Sequence, residues 1–297
     1  MSKMNKVYGE PKSNYTAKLK IKSAILFVWF VILTIICLLP LYMLIINASH
    51  SSSDISNGLH LLPGKFFGIN FKTVVSGEMK LYFDAFNGYK NSLIITCCSC
   101  ILTVFFSAMT AYGIHVYDFK IKEASYTVIL LVMMIPVQVT SAGFVAFMNK
   151  IGLLNSYIPL IIPAIAAPAV VYFMRSYMKS SFPLDIVEAA RIDGCGEYRT
   201  FVSIAIPMMK PAIAVQAIFA FIASWNNFYT PSMILVDGNT KKKTLPMMVQ
   251  ALQSSDTLND NGAKYMAIAL SIIPIVIAYV FLSRFIIAGV ALGGVKE

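Results

Sequence analysis

Six long apolar segments alternate with polar segments along this chain. They cover residues 24–46, 91–114, 125–147, 153–174, 211–236 and 265–283, and none of them contains Asp, Glu, Lys or Arg. A helix that crosses the hydrocarbon core of a bilayer needs about 20 consecutive, mostly apolar residues. The pattern therefore predicts an all-α, polytopic membrane protein with six transmembrane helices.

The composition agrees with this pattern. Hydrophobic residues make up 58% of the chain, charged residues make up 13%, and the mean hydropathy is +0.71, which lies outside the range of soluble globular proteins. The first apolar segment is longer than the apolar region of a signal peptide and is not followed by a small-residue cleavage site. We therefore expect it to remain as the first transmembrane helix.

The net charge of +10 is explained by its distribution along the chain. The N-terminal tail is rich in lysine, and the basic residues favour a cytoplasmic location for both termini, although the run 241–243 opposes this orientation. Topology and attraction to lipid headgroups explain such a charge better than nucleic-acid binding. The resulting plan is a cytoplasmic basic tail (1–23), a first transmembrane helix (24–46), an extracellular loop (47–90), a core of five transmembrane helices (91–288) with an inside loop at 179–210, and a cytoplasmic C-terminal tail (289–297).

The chain lacks the sequence features of several chemical functions. It has no phosphate-binding G-x-x-x-x-G-K-[ST] loop, and its histidines and cysteines do not form a metal-ligand pattern. The apolar segments hold no carboxylate that could relay protons or sodium, and Gln138 is the most polar group deep in the third segment. We expect neither an enzyme nor a protein that binds a cofactor or metal. If it moves a solute, the energy should come from elsewhere.

A polar segment at 183–211, between the fourth and fifth apolar segments, is the main candidate for function. Pro183 fits the start of a helix, and Gly194 fits its end. Asp185, Glu188 and Arg191 are spaced to form a polar stripe, with a possible pair between Glu188 and Arg191.

A second short helix is predicted directly after the first one. Tyr198, Phe201, Val202 and Ala205 have the spacing of one apolar helix face. The small side chains of Ala189 and Ala190, which precede this helix, would allow a partner surface to approach closely. From the residues alone, two interpretations stay equally open: a docking surface for a soluble partner, or a helical hairpin that lies on the lipid headgroups.

The residue pattern of this segment resembles a known motif. Glu188-Ala189-Ala190, Asp193-Gly194, Phe201, Ile204 and Pro207 are similar to the "EAA" motif of the membrane subunits of ABC importers. Further similar pieces are Gly152-Leu153-Leu154-Asn155-Ser156-Tyr157, Ser224-Trp225-Asn226-Asn227-Phe228, Thr244-Leu245-Pro246 and the C-terminal stretch from Gly289 to Lys296. Gly294 stands where Ala is usual in that stretch, and Glu297 directly after it replaces the last Gly. In the EAA segment Cys195 replaces the usual Ala or Ser. The resemblance covers about residues 91–297 well.

The resemblance implies a fold, a function and a set of partners. It points to the second permease subunit of a carbohydrate importer of the maltose and oligosaccharide type, with a type I importer permease (MetI-like) core in the bacterial inner membrane. Partners would be a second permease subunit, two cytoplasmic ATPase subunits that bind the ATP, and an extracellular sugar-binding protein. The residues implied to couple with the ATPase are Glu188, Ala189, Ala190, Asp193, Gly194, Phe201, Ile204 and Pro207.

Aromatic and amide side chains suggest where a sugar would pass. Trp225, Asn226 and Asn227 in the fifth segment, with Gln138 in the third, are candidates for the translocation path, because rings and amides suit a neutral polyhydroxylated ligand. Packing between transmembrane helices is the alternative role for these side chains. An energy-independent channel or a structural subunit of another membrane complex would also have uncharged transmembrane segments, but would not explain the motif.

Overall fold

The computed structural model of the chain describes residues 13–76, 79, 82–238, 240–255 and 259–293. Every regular element in these ranges is helical. The first seven helices are α1 (Ser13–Asn47), α2 (Ser52–Asn57), α3 (Phe67–Ser76), α4 (Ala85–Val116), α5 (Lys122–Met133), α6 (Val137–Lys150) and α7 (Ile158–Ile161), and a 3₁₀ turn (Ile162–Ile165) follows α7.

The second half of the chain continues the same architecture. Its helices are α8 (Pro168–Ser181), α9 (Asp185–Ile192), α10 (Glu197–Thr200), α11 (Ile206–Met208), α12 (Lys210–Trp225), α13 (Tyr229–Ile234), α14 (Leu245–Gln253) and α15 (Asn261–Gly293). A π-helical turn (Phe201–Ala205) joins α10 to α11, and a 3₁₀ turn (Thr240–Lys242) precedes α14.

The lengths of these helices fit a membrane-spanning protein. Four helical stretches are long and apolar enough to cross a bilayer: Lys18–Asn47, Ala85–Val116, Ile158–Ser181 (α7, the 3₁₀ turn and α8) and Asn261–Phe281. Two further crossings arise if each of two bent pairs counts as one: α5 with α6 at 93°, and Glu197–Met208 with α12 at 80°. The predicted all-α membrane fold is confirmed, with up to six crossings in the described ranges.

The third apolar segment is not the single helix that its composition predicted. It breaks at residues 134–136, and α5 and α6 meet there at 93°. Pro136 explains the break, because proline lacks an N–H and disfavours the helical conformation in the residue before it. Its own backbone is extended, with ψ 130°.

The fifth segment also differs from the prediction. The helix α12 ends at Trp225, so Asn226 and Asn227 lie in a short connection to α13 and not within a helix. The Asn227 side-chain oxygen accepts a hydrogen bond from the backbone N–H of Thr230 at 3.2 Å. Such local bonds from Asn compete with a helix and favour its end.

The bundle is organised around α4. This helix packs against α8 and α12, and α12 packs in turn against α15. Two buried apolar clusters lie at opposite ends of α4. One includes Phe83, Trp225 and Met266, and the other includes Tyr112 and Phe201. The second cluster brings the polar segment 183–211 onto the C-terminal end of α4.

The two ends of the chain contribute long helices to the bundle. The helix α1 packs on α15 and exposes most of its apolar side chains, from Leu19 to Ile45. The helix α15 continues to Gly293, past the residue at which the C-terminal tail is predicted to begin. The rest of both predicted tails, residues 1–12 and 294–297, lies outside the described residues, and with it the end of the motif-like C-terminal stretch.

The loop predicted at 47–90 is a folded cap. Its helix α3 packs on α15, and the side-chain amide of Asn70 donates to the carbonyl oxygens of Ala48 at 2.8 Å and His50 at 2.9 Å. Gly262 lies against these groups, because a Cβ placed there would come within 2.4 Å of the His50 carbonyl oxygen.

We expect Gly262→Ala to destabilise the protein by about 1–3 kcal/mol, because the new methyl group would push the cap away from α15. Gly143→Ala is the matched control, since nothing lies within 4 Å of a Cβ at that helical glycine. Thermal melting of the detergent-solubilised complex, followed by size-exclusion chromatography, should show a lower midpoint for Gly262→Ala alone. Equal midpoints for the two variants would contradict the expectation.

Candidate functional site

The short helix α9 is fixed to the bundle by one face and exposes the other. Val187 and Ala190 are 1% and 6% exposed, and Val187 belongs to the cluster at the C-terminal end of α4. Glu188 and Ala189 point to the surface. The predicted helix is confirmed, although it begins at Asp185, after Pro183.

The end of α9 is a complete Schellman motif. Gly194 has φ +75°, its N–H donates to the Arg191 carbonyl at 3.0 Å, and the Cys195 N–H donates to the Ala190 carbonyl at 2.9 Å. This is the pattern in which a left-handed residue closes a helix, and glycine adopts that conformation without a steric penalty. Gly194 therefore fixes the direction in which the chain leaves α9.

A carboxylate clamp holds α9, α10 and the end of α4 together. The Arg191 Nε donates to one oxygen of Glu197 at 2.8 Å, and the Tyr117 hydroxyl donates to the other oxygen at 2.7 Å. The predicted pair between Glu188 and Arg191 is wrong, because Arg191 turns toward Glu197 instead. Glu188 is left facing outward.

The clamp also changes the acidity of its members. The Arg191 guanidinium, followed by the Tyr117 hydroxyl, holds the pKa of the Glu197 carboxyl below its usual value. Burial, followed by the neighbouring Glu197 carboxylate, raises the pKa of Tyr117 to about 12. Both shifts keep the carboxylate charged and the phenol protonated near neutral pH, so the clamp stays closed in that range.

The second predicted helix is interrupted by the π-helical turn at Phe201–Ala205. Phe201 and Ala205 are buried as predicted, but Tyr198 is 70% exposed and Val202 is also exposed. The extra residue in a π turn changes the angular spacing of the side chains, so the four positions do not share one face. The Phe201 ring packs against that of Tyr112, with centroids 5.3 Å apart.

The motif residues divide into an exposed set and a buried set. Glu188, Ala189, Asp193, Gly194 and Pro207 are exposed, Ile204 is half-buried, and Ala190 and Phe201 are in the interior. Ala190 therefore fixes α9 and cannot meet a partner, contrary to the expectation from its small size. Sequence reasoning missed Ile192, which is 86% exposed and extends the outward apolar surface of α9.

A second contact that the sequence did not predict attaches α5 to α8. Arg175 is 3% exposed, its guanidinium donates to Glu123 at 3.1 Å, and it lies 3.7 Å from the centre of the Tyr126 ring. A buried guanidinium over an aromatic face gains from the cation–π attraction. The only sequence signal was the position of Arg175 directly after an apolar segment.

An open cavity of ≈ 860 Å³ lies between α4, α6, the segment from α7 to α8, and the segment from α12 to α13. Among the described residues that line it, none is charged. Three phenylalanines, Phe144, Phe173 and Phe219, line it together with small, hydroxyl and amide side chains. Its size is in the range of small-molecule sites, and its lining suits a neutral ligand.

Hydroxyl groups of α4 support the irregular wall of this cavity. The Thr103 hydroxyl donates to the Ala164 carbonyl at 3.0 Å, and the Ser99 hydroxyl donates to the Leu160 carbonyl at 3.2 Å. In a regular helix the Ala164 carbonyl would accept from residue 168, which is Pro168 and has no N–H. The side chain of Thr103 thus supplies the donor that proline lacks.

The structure separates the four predicted path residues. Asn227 lines the cavity, whereas Trp225, Asn226 and Gln138 do not. Trp225 is 2% exposed and its indole N–H donates to the Ser271 carbonyl at 3.1 Å, so it packs between helices. Gln138 and Asn226 are exposed away from the cavity. Gln216, which sequence reasoning missed, is buried in the cavity wall.

A smaller pocket of ≈ 40 Å³ adjoins the cavity. The two share Leu160, Ser224, Asn227 and Thr230 in their linings. The hydroxyl of Thr244 also lines the small pocket and is buried without a hydrogen-bond partner. A polar space of this size holds about two or three water molecules.

Comparison with protein families and curated proteins gives a consistent result. The family model described as "Binding-protein-dependent transport system inner membrane component" matches residues 81–291. An arabinooligosaccharides transport system permease protein of Halalkalibacterium halodurans is 35% identical, over 93% of this chain and 97% of that protein. A diacetylchitobiose uptake system permease protein of Streptomyces coelicolor is 30% identical, over 92% and 87%.

A solved structure supports the fold. A bacterial ABC transporter involved in the import of the acidic polysaccharide alginate contains a chain that superposes with a TM-score of 0.76 and 19% sequence identity. The match covers 94% of this chain and 99% of that chain. At this identity the match shows the fold alone.

Proposed function

Because this chain belongs to the family of binding-protein-dependent transport system inner membrane components, we propose that it forms half of the translocation path of an ATP-driven importer of neutral oligosaccharides. Membership makes it a membrane protein and the permease component of an ABC importer for sugars, as its relatives are named. The permease is not itself an enzyme, since the ATPase of such a transporter is a separate subunit. ATP is therefore a ligand of the partner and not of this chain.

The observation that carries the proposal is the way α9 is mounted. Its buried face, with Val187, is part of the apolar cluster of the bundle, and its other face presents Glu188, Ala189 and Ile192 to solvent. A surface helix with an exposed isoleucine is suited to a groove in another protein. We assign this face to the cytoplasmic ATPase subunit.

The apolar cluster under α9 connects this helix to the walls of the cavity. The cluster under α9 includes Tyr112 of α4, Met174 of α8 and Met209 at the start of α12. These three helices also form walls of the cavity. Closure of two ATPase subunits on ATP would move α9, and the packed cluster would carry that movement to the walls as a rigid-body rotation.

Membership of the family and the open, uncharged cavity support two further partners. A second permease subunit supplies the other half of the path, and a sugar-binding protein delivers the ligand from outside. The names of the relatives point to oligosaccharides, and the uncharged lining supports a neutral one. Membrane lipid covers the exposed apolar side chains of α1, and nucleic acid is not a partner.

The proposal is tested by transport in proteoliposomes that contain this chain, its second permease subunit and the ATPase. With the binding protein outside and ATP inside, arabinotriose, raffinose and maltotriose are offered in turn. We expect at least one to accumulate against its gradient, only with ATP. Equal uptake without ATP would indicate a channel, and the absence of uptake of all three sugars would contradict a neutral-oligosaccharide importer.

The orientation is tested separately by cysteine labelling in intact cells. With both termini in the cytoplasm, an impermeant maleimide should label a cysteine at Val236 and miss cysteines at Gly9 and Ser180, in a chain whose five native cysteines are replaced by alanine. Val236 and Ser180 are both exposed, so accessibility alone does not separate them. Labelling after permeabilisation serves as the control. The reverse pattern in intact cells would overturn the orientation and the ATPase assignment of α9.

A further inference from the structure

We propose that Gln216 is the residue through which this subunit hydrogen-bonds the hydroxyl groups of a passing neutral sugar. The inference rests on the function proposed above and extends it to one side chain. Neither the motif nor the predicted path residues include Gln216, and its role follows from its position and from the hydrogen bonds of its neighbours.

Gln216 lies on the face of α12 that lines the cavity. The lining positions of this helix and its connection are Gln216, Phe219, Ala220, Ala223, Ser224 and Asn227. Their spacing is that of a single helix face, so the rotation of α12 directs Gln216 toward the same space as Asn227. The residue is 6% exposed.

The other polar side chains of the lining already have partners. Ser99 and Thr103 donate to the carbonyls of Leu160 and Ala164. Thr140 donates to the Val137 carbonyl at 3.0 Å. Further bonds run from Ser141 to the Gln138 carbonyl at 2.8 Å, from Ser224 to the Thr96 hydroxyl at 3.4 Å, and from Asn227 to the Thr230 hydroxyl at 3.4 Å. Each of these side chains therefore has at least one partner within the chain.

Gln216 differs from all of them. Within the described part of the chain its amide makes no hydrogen bond, although the residue is buried in the wall. The residue as a whole is 6% exposed, but its amide atoms are not among the fully buried polar atoms that lack a partner. They therefore reach accessible space, and the cavity that the residue lines is large enough for a ligand. A ligand in the cavity can therefore supply the hydrogen-bond partner that the chain does not give to this amide.

The chemistry of the side chain selects the class of ligand. An amide offers both donors and acceptors and stays neutral at every physiological pH, which matches a sugar hydroxyl. One turn along α12, Phe219 is 62% exposed and adds an apolar ring that can pack on the C–H face of a sugar. No described lining residue carries a charge to attract a uronate.

The test compares two glutamines that differ in position. Gln216→Met keeps the length of the side chain and removes its hydrogen bonds, and Gln138→Met makes the same change at an exposed glutamine outside the cavity lining. Both are assembled with the second permease subunit and the ATPase, and uptake of the best-transported sugar among arabinotriose, raffinose and maltotriose is measured. We expect Gln216→Met to raise the apparent KM about 3- to 10-fold. The maximal rate and basal ATP hydrolysis should stay within about twofold, and Gln138→Met should match the parent.

A second variant and a second readout separate a ligand contact from a structural role. Gln216→Ala should raise the apparent KM as Gln216→Met does, and the thermal midpoints of both complexes should stay close to that of the parent. An unchanged KM with an altered midpoint would assign Gln216 to water binding or packing and overturn the proposal. The same KM rise in Gln138→Met would also overturn it. A parent complex that transports none of the three sugars would instead contradict the proposed function.

Discussion

Replacement of Gly194 by valine should abolish sugar uptake while the protein still reaches the membrane. Gly194 closes α9 at φ +75°, a conformation that costs a residue with a Cβ roughly 1–2 kcal/mol and a β-branched residue more. No atom lies within 4 Å of a Cβ at this position, so the effect would come from the backbone and not from a clash. The strained chain should open the Schellman motif and redirect the exposed face of α9.

Gly196→Val is the matched control for this prediction. Gly196 is two residues away, also has open space around its Cβ position, and has φ −69°, which any residue adopts. For Gly196→Val, uptake by proteoliposomes and surface expression should both be close to those of the parent. For Gly194→Val, surface expression should also be close to that of the parent, but uptake should be strongly reduced. If the two valine variants transport equally well, the conformation at Gly194 does not matter for coupling.

Glu188→Lys should lower uptake by about 100-fold or more, since reversal of a charge at the centre of a docked surface has effects of this size. Glu188 is exposed, and among the described residues it forms no hydrogen bond or ion pair through its side chain. A lysine there would present a positive charge to the groove of the ATPase in place of the negative charge of Glu188. The chain itself should remain folded, because the substitution is on the surface.

The control for Glu188→Lys is Asp118→Lys. Asp118 is an exposed carboxylate in the connection between α4 and α5, on the same side of the membrane as α9, and the substitution changes the net charge equally. Co-purification of the ATPase with the permease subunits gives the direct readout. We expect loss of the ATPase for Glu188→Lys and retention for Asp118→Lys, and normal uptake by a well-expressed Glu188→Lys protein would rule out the docking role.

The apolar segments predicted the order of the membrane crossings, up to six in the described ranges, because burial in hydrocarbon acts on whole segments. They did not predict where helices break, because a break depends on single residues such as Pro136 and Asn227 that a hydropathy average hides. The helix α9 and its end at Gly194 were predicted correctly from residues 183–194, because helix ends are encoded by adjacent residues.

Contacts between residues that are far apart in the sequence could not be predicted from it. Arg191 has Glu188 three residues before it, yet it pairs with Glu197, because Tyr117 at the end of α4 fixes that carboxylate. Gln138 and Gln216 are chemically identical, and only the rotation of α12 and the break before α6 decide which of them faces the cavity. Such choices require the packed bundle, which no local pattern contains.

The hydrogen bonds that Ser99 and Thr103 give to the wall of the cavity have a mechanical consequence. Between α7 and α8 the backbone has exchanged part of its internal ladder for donors on α4, so bending at this joint breaks few bonds within the segment. This wall thus consists of two short helices, α7 and α8, that are both attached to α4, and it is not one continuous rigid helix. Met178 of α8 packs in the cluster under α9, so we expect a displacement of α9 to bend the wall at this connection and to change the width of the cavity.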